Sequence, residues 1–237
     1  MNSRAIAIIN EKGGVGKTIV TVNLGVAAEA HGLTTTIFDL DPRANSTVWG
    51  DARNPPPEQG KERAAPIRPP EVTPAQAARL PLLLQQARDQ GADLILIDTP
   101  GGPGTGAEIG EDAAEAADAI LIPCCPAGPD LKTLARSIRV ARRAGKPFFV
   151  VMTDAPHEGT ETAETIASVS ATGVEVCPVV LHTRKAFTRR FQEGLAAFDI
   201  EPKGKAAAEI LELLVWICEK VIRLPNEQVT EVTKQRA

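Results

Sequence analysis

Tyrosine is absent from this 237-residue chain, and aromatic residues of every kind make up only 3% of it. Autophosphorylation on tyrosine is therefore excluded. Cysteine is sparse, and the four present (Cys124, Cys125, Cys177 and Cys218) contain no C-x-x-C pair, so neither a zinc site nor a disulfide framework is expected. Reduced thiols are expected instead, as in cytosol. The three histidines (His31, His157 and His182) are scattered, and none has ligand spacing. No apolar run reaches the length that spans a bilayer. The opening Met1-Asn2-Ser3-Arg4 lacks the apolar core of a secretion signal. These absences point to a cytoplasmic protein, and no internal repeat suggests a solenoid.

What the chain has in its place is a glycine-rich run, Glu11-Lys12-Gly13-Gly14-Val15-Gly16-Lys17-Thr18, after the apolar stretch Ala5 to Ile9 and before a helical stretch from Thr18 to Ala30 that Gly32 can end. Gly13, Gly14 and Gly16 let successive backbone N–H groups, with that of Val15 between them, turn inward as a cradle for phosphate oxygens at a helix start. Lys17 then reaches the β- and γ-phosphates, and the Thr18 hydroxyl is placed to bind Mg²⁺. The strict pattern G-x-x-x-x-G-K-[ST] requires glycine at position 11. Glu11 breaks it without touching the cradle.

The run Lys12 to Thr18 resembles the deviant Walker A loop of the ParA/MinD family of ATPases, whose members close face to face on ATP. The resemblance makes Lys12 the signature lysine, reaching the phosphates bound by the other subunit of a homodimer. A second cation from the partner would make assembly depend on the nucleotide's charge.

Two further blocks carry the same resemblance. Thr36 to Ser46 is an apolar strand running into Asp39, Asp41 and Pro42, similar to the family's D-x-D-P-Q element with Arg43 where glutamine is usual. Period-two alternation puts Asp39 and Asp41 on one face, so both are expected at one site. The resemblance implies that Asp41 orients the attacking water and that Asp39 supports the Mg²⁺ region. Leu94 to Asp98, followed by Thr99-Pro100-Gly101-Gly102, has the form of a Walker B element. Asp98 would hold Mg²⁺ through water, and the Gly101 amide would sense the γ-phosphate. The blocks Ala119 to Leu131, Pro147 to Asp154 (with Thr153 near the adenine), His182 to Phe187 and Gly204 to Glu209 extend the resemblance over nearly the whole chain. The absence of spaced cysteine ligands argues against the nitrogenase-iron-protein branch.

Strands alternating with helices over this length predict a single-domain α/β P-loop NTPase across 1–237, with a mostly parallel twisted sheet flanked by helices. Residues 51–74, which hold Pro55-Pro56-Pro57 and Pro69-Pro70, read as a proline-rich surface excursion. A helix follows near Gln76 to Gln90. The apolar spacing of Ile210, Leu213, Leu214, Ile217 and Val221 predicts a core-facing last helix from Ala206 to Ile222. A polar tail, 225–237, follows it.

The net charge is −4, so any nucleic-acid contact must come from local patches. Arg136, Arg139 and Arg143 form one helical stripe in a basic stretch running from Lys132 to Lys146. Arg184, Lys185, Arg189 and Arg190 form a second group, the one that the resemblance assigns to DNA. Phosphate contacts alone give binding without sequence preference.

The expected function is a partition ATPase with ATP and Mg²⁺ as cofactors. It would dimerise on ATP, bind non-specific DNA at the nucleoid and hydrolyse ATP when stimulated by a ParB-like or other cargo-linked protein. A MinD-like membrane cycle is the alternative, but the tail after Pro225 is too polar to insert well, and no membrane contact is expected. Positioning of a protein cargo is a further alternative. A dethiobiotin-synthetase-like ligase has no need of Lys12. Because the chain begins almost at the phosphate loop, no N-terminal helix-turn-helix and no operator-specific repression are expected.

Overall fold

Alternation along each apolar run decides which face of the sheet a side chain joins. In strand β1 (Arg4–Ile8), Ile6 and Ile8 enter one core while Ala5 and Ala7 enter the other. Strand β4 (Leu94–Asp98) does the same, with Leu94 and Leu96 on the first face and Ile95 and Ile97 on the second. Both strands are covered on both faces, as a parallel sheet requires. The structure, a computed structural model, describes residues 3–55, 68–126 and 131–222.

The remaining elements are α1 (Lys17–Ala30), β2 (Thr35–Asp39), α2 (Asn45–Arg53), β3 (Glu71–Pro74), α3 (Leu80–Asp89), α4 (Thr105–Ala116), β5 (Ala119–Cys124), α5 (Leu131–Ala144), β6 (Phe148–Ala155), α6 (Glu161–Ser170), β7 (Val176–His182), the short α7 (Ala197–Ile200) and α8 (Lys205–Ile217). The sheet has seven strands in the order β3-β2-β4-β1-β5-β6-β7. Every pairing is parallel, so the expected mostly parallel sheet is wholly so. Helices α1, α7 and α8 cover one face together with Trp49 of α2, while α3, α4, α5 and α6 cover the other. Helix α1 ends where the Gly32 amide, at φ 80°, bonds back to the Glu29 carbonyl. Buried Ile210, Leu213, Leu214 and Ile217 place α8 in the core as its spacing predicts, and the chain continues into a π-helical turn, Cys218–Ile222.

The excursion expected over 51–74 is narrower than that. Helix α2 runs on to Arg53, and Glu71–Pro74 forms the edge strand β3 beside β2. Proline is tolerated there because an edge strand leaves one side of its backbone unpaired. Residues 56–67 and the polar tail fall outside the described residues. The β2–β4 register sets Asp39 opposite Asp98, and that of β1 and β4 sets Ile8 opposite Asp98. The carboxyl ends of the central strands thus meet where ligands bind in open parallel sheets.

Candidate functional site

The phosphate loop leaves the carboxyl end of β1 and enters α1 through Gly16. Gly14 and Gly16 have φ of 79° and 83°, a left-handed conformation that glycine alone adopts without a Cβ penalty. Asn10 braces the loop from below. Its side chain donates to the Pro123 carbonyl at 2.7 Å and accepts from the Lys12 amide at 2.9 Å. Buried Lys17 donates through Nζ to the carbonyls of Asn10 (2.9 Å) and Lys12 (3.1 Å), which holds its ammonium inside the loop. Burial pushes its pKa down, and nearby Asp98 and Asp41 oppose the shift. Lys12 is half-buried at the loop's outer turn.

Asp98 is fully buried at the end of β4. Its Oδ2 accepts from the Thr18 hydroxyl at 2.7 Å and the Ser46 hydroxyl at 2.6 Å. Its Oδ1 is buried with no hydrogen-bond partner. Burial raises the carboxyl to about 7, and facing Asp39 adds to the rise. An orphaned carboxylate oxygen whose twin is held by two hydroxyls fits a divalent cation reached directly or through water, which would remove both penalties. Among the described residues no group of three or more His, Cys, Asp or Glu could hold a metal alone, so phosphate oxygens and water would have to complete the shell. Thr18 and Asp98 therefore come together as the sequence predicts. Ser46 is the partner that it did not reveal.

The two loop aspartates take different partners. Strand β2 stops at Asp39, so period-two alternation no longer applies at Asp41. Asp39 Oδ1 accepts from the Asp41 amide at 3.0 Å, and Oδ2 accepts from the Thr47 amide and hydroxyl, both at 2.8 Å. Asp39 organises the turn into α2 and lies with Asp98 behind the cavity wall. Asp41 is in that wall, its Oδ1 accepting from the Arg43 amide at 2.9 Å. Ala44, at φ 54°, takes up the tight entry into α2.

Two cavities flank the loop. One, about 280 Å³, is lined by Gly13, Gly14, Lys17, Thr18, Asp41 and Gly101, with Phe191 from a distant segment. Gly101 lies so close to the loop that a Cβ there would meet Gly13 N at 2.9 Å and Lys17 Nζ at 3.1 Å. The other, about 290 Å³, is mainly apolar and runs past Gly16 and Ile19 to Leu181, Phe187 and Ile210. It has the character of a base pocket. Thr153, expected near the adenine, is in the wall of this second cavity, and its buried hydroxyl donates to the Val15 carbonyl at 2.9 Å. It supports the loop from beneath.

The later basic group also divides. Arg184 is turned inward, its Nε and Nη2 on Glu209 Oε1 at 2.9 and 2.6 Å, with His182 Nδ1 on the same oxygen at 2.8 Å. Arg189 and Arg190 are exposed, with surface ion pairs to Glu201 and Glu193 respectively. Lys185 and Arg189 line an open basic hollow with Lys205 at the start of α8. Lys205 joins them from a point distant along the chain, which local spacing does not show. In the earlier stripe, Arg136 pairs with Glu11 at 3.0 Å and Arg143 with Glu111 at 3.7 Å. The Ser137 hydroxyl accepts from the Glu11 amide at 3.2 Å, so α5 is tied to the phosphate loop.

A parallel sheet with a glycine cradle, a buried lysine and a cation-ready aspartate at its carboxyl edge defines a P-loop nucleotide-binding protein. Residues 6–198 match the CobQ/CobB/MinD/ParA nucleotide binding domain, and the chain belongs to that family. It is 28% identical over 209 residues to the maintenance of carboxysome distribution protein A of Gloeobacter kilaueensis, covering 87% of this chain and 88% of that one. It is 25% identical over 214 residues to protein ParA of Rhizobium radiobacter, covering 86% and 90%. The septum site-determining protein MinD of Pyrococcus horikoshii, solved in complex with Mg-ADP, shares the fold at a TM-score of 0.66 and 20% identity, over 91% of this chain and 96% of that one. No helix among the described residues is long and apolar enough to cross a membrane.

Proposed function

We propose that this protein is a ParA-type ATPase that closes into a homodimer on ATP·Mg²⁺, binds DNA without sequence preference and partitions plasmid or chromosomal DNA through partner-stimulated hydrolysis. The observation that carries this reading is the phosphate-side cavity. It is lined by Lys17, Thr18, Asp41 and Gly101 together with Phe191, the residue that follows Arg189 and Arg190 in the chain. The proximity of Phe191 to the basic segment supports reading the nucleotide site and the cationic surface together.

Within that site Lys17 neutralises the phosphates, while Thr18 and Asp98 hold Mg²⁺ with Ser46 fixing the Asp98 carboxylate. Asp41 takes the hydrogen bond of the attacking water, and the Gly101 amide contacts the terminal phosphate. Lys12 reaches the partner's nucleotide. For DNA we retain Lys185, Arg189 and Arg190, add Lys205, and assign Arg184 to holding Glu209. A relative named for carboxysome distribution, matching over most of both chains, favours a second reading in which the cargo is a protein body carried over the nucleoid. Both readings require DNA binding and a cargo-linked stimulating partner.

The test is co-sedimentation of the ATP-bound protein with random-sequence duplex DNA and, separately, with anionic liposomes. Retention on DNA, lost on Lys185→Glu with Arg189→Glu, is expected. Retention on lipid but not on DNA would replace this reading with a MinD-like membrane cycle.

A further inference from the structure

The segment from Thr183 to Leu195 carries the exposed arginines and also walls both ends of the nucleotide site. At the base end it contributes Thr183, Lys185, Phe187 and Thr188. At the phosphate end it contributes Phe191, which shares a cavity with Lys17, Thr18, Asp41 and Gly101. Phe191 begins a 3-10 turn, Phe191–Glu193, directly after Arg189 and Arg190. Its ring is half-buried, packed against the core on the α1 side of the sheet.

Both ends of the segment are pinned. Arg184 is bound to Glu209 on α8 at one end. At the other, the Trp49 indole donates to the Leu195 carbonyl at 3.3 Å, and Arg53 donates to the Gly194 carbonyl at 2.9 Å. Gly194 lies against the α2 backbone so closely that a Cβ would come 2.1 Å from Arg53 N. Between the pins, Phe187 is buried in the core and the Arg189 amide donates to the Lys185 carbonyl at 2.8 Å, while the two guanidinium groups have surface ion pairs, Arg189 to Glu201 at 4.0 Å and Arg190 to Glu193 in the same turn. Such pairs contribute little on their own. The Phe191 ring is what connects this stretch to the phosphate cavity.

We infer that Phe191 is a positioning residue through which the terminal phosphate sets the DNA-facing surface. Asp41 and Gly101 mark its end of the cavity as the place where a triphosphate and a diphosphate differ. A ligand shifts a conformation only through contacts that differ between its states, and the ring supplies such a contact. With the cavity filled, the ring is held and Arg189 and Arg190 are fixed beside it. With the terminal phosphate gone, the turn at Phe191 is released, and the side chains of Arg189 and Arg190 that precede it are no longer fixed. This rests on the DNA-binding reading above.

The experiment measures the affinity of full-length protein for a random-sequence duplex with ATP and with ADP, alongside solution mass. Wild type is expected to bind more tightly with ATP by about tenfold or more, within the usual range of coupling between sites. Phe191→Ala should bind DNA with nearly equal affinity in both states while still dimerising on ATP. Phe191→Leu keeps an apolar anchor but removes the ring face, and should lower the ratio in the same direction. A wild-type ratio in whichever variant folds overturns the inference and leaves the DNA reading standing. Loss of ATP-dependent dimerisation in a folded variant overturns it too, because the ring would then act at the dimer face. Wild type that binds no DNA in either state removes the DNA reading itself.

Discussion

Two lysines five residues apart face different tasks. Lys17 is buried in the loop with its ammonium on two loop carbonyls, ready to exchange them for phosphate, whereas Lys12 is half-buried at the outer turn. Lys17→Ala should abolish ATP binding. Lys12→Ala should bind nucleotide and remain monomeric, which nucleotide titration and solution mass together can check. Normal ATP-dependent dimers of Lys12→Ala would remove it from the signature role. Asp98 offers a pH test. Its carboxyl is raised to about 7 by burial, against an ordinary value of 3.8. Its contribution to stability is therefore complete below about pH 4 and is lost as pH rises through about 7, where ionisation in the fold is penalised. Thermal melting without nucleotide or magnesium should drop over that window by more in wild type than in Asp98→Asn. Equal pH dependence of the two proteins would show that Asp98 is not the group responsible. The sequence marks Asp98 as a strand-end acid that shares a cation with Thr18, but says nothing of Ser46 or of the orphaned oxygen.

At the scale of elements, long-range polar ties decide how loops present their side chains. Arg53 closes α2 by binding Asp199 at 2.8 Å, the Gly194 carbonyl, and the Arg68 and Pro69 carbonyls that lead into β3. Its side chain is nearly fully buried, so removing it strands a carboxylate and several carbonyls. Arg53→Ala should cost about 3–5 kcal/mol in denaturant unfolding, as expected when one partner of a buried pair is lost. A loss below about 1 kcal/mol would mean that Arg68, already 3.3 Å from Asp199, takes over the pairing. Strands β1, β2 and β4 and helices α1 and α8 were legible from apolar period and glycine punctuation, and α5 from its basic stripe. Strand β3 was not, because four residues with proline at the end carry almost no period, and only pairing with β2 makes them a strand. Asp39 and Asp41 take different partners for a related reason: alternation orders side chains only while the strand lasts, and hydrogen bonds from the Asp41 and Thr47 amides then hold the Asp39 carboxylate at the turn beside Asp98.

Across the whole molecule, the net charge of −4 coexists with a cationic face that the fold gathers from separate turns. If Lys185 and Arg189 each meet a phosphate, replacing either with alanine should weaken binding to all duplex sequences alike. It should also reduce the slope of log affinity against log salt by about one. Arg184→Ala should leave that slope alone and lower thermal stability, since its guanidinium is spent on Glu209. An unchanged slope for the Lys185 and Arg189 variants would move the DNA face elsewhere, with the α5 stripe as the next place to test. The sequence by itself determined the parallel sheet, the glycine cradle, and the lysine, threonine and aspartate at its rim, because these depend on local period and on conformations open only to glycine. Tertiary structure alone decided that Ser46 braces Asp98, that Thr153 supports the loop, that Arg184 turns inward and that Phe191 reaches the phosphate cavity. Each of those is a contact between residues far apart in the chain, and local spacing encodes neither the partner nor the burial that gives the contact its energy.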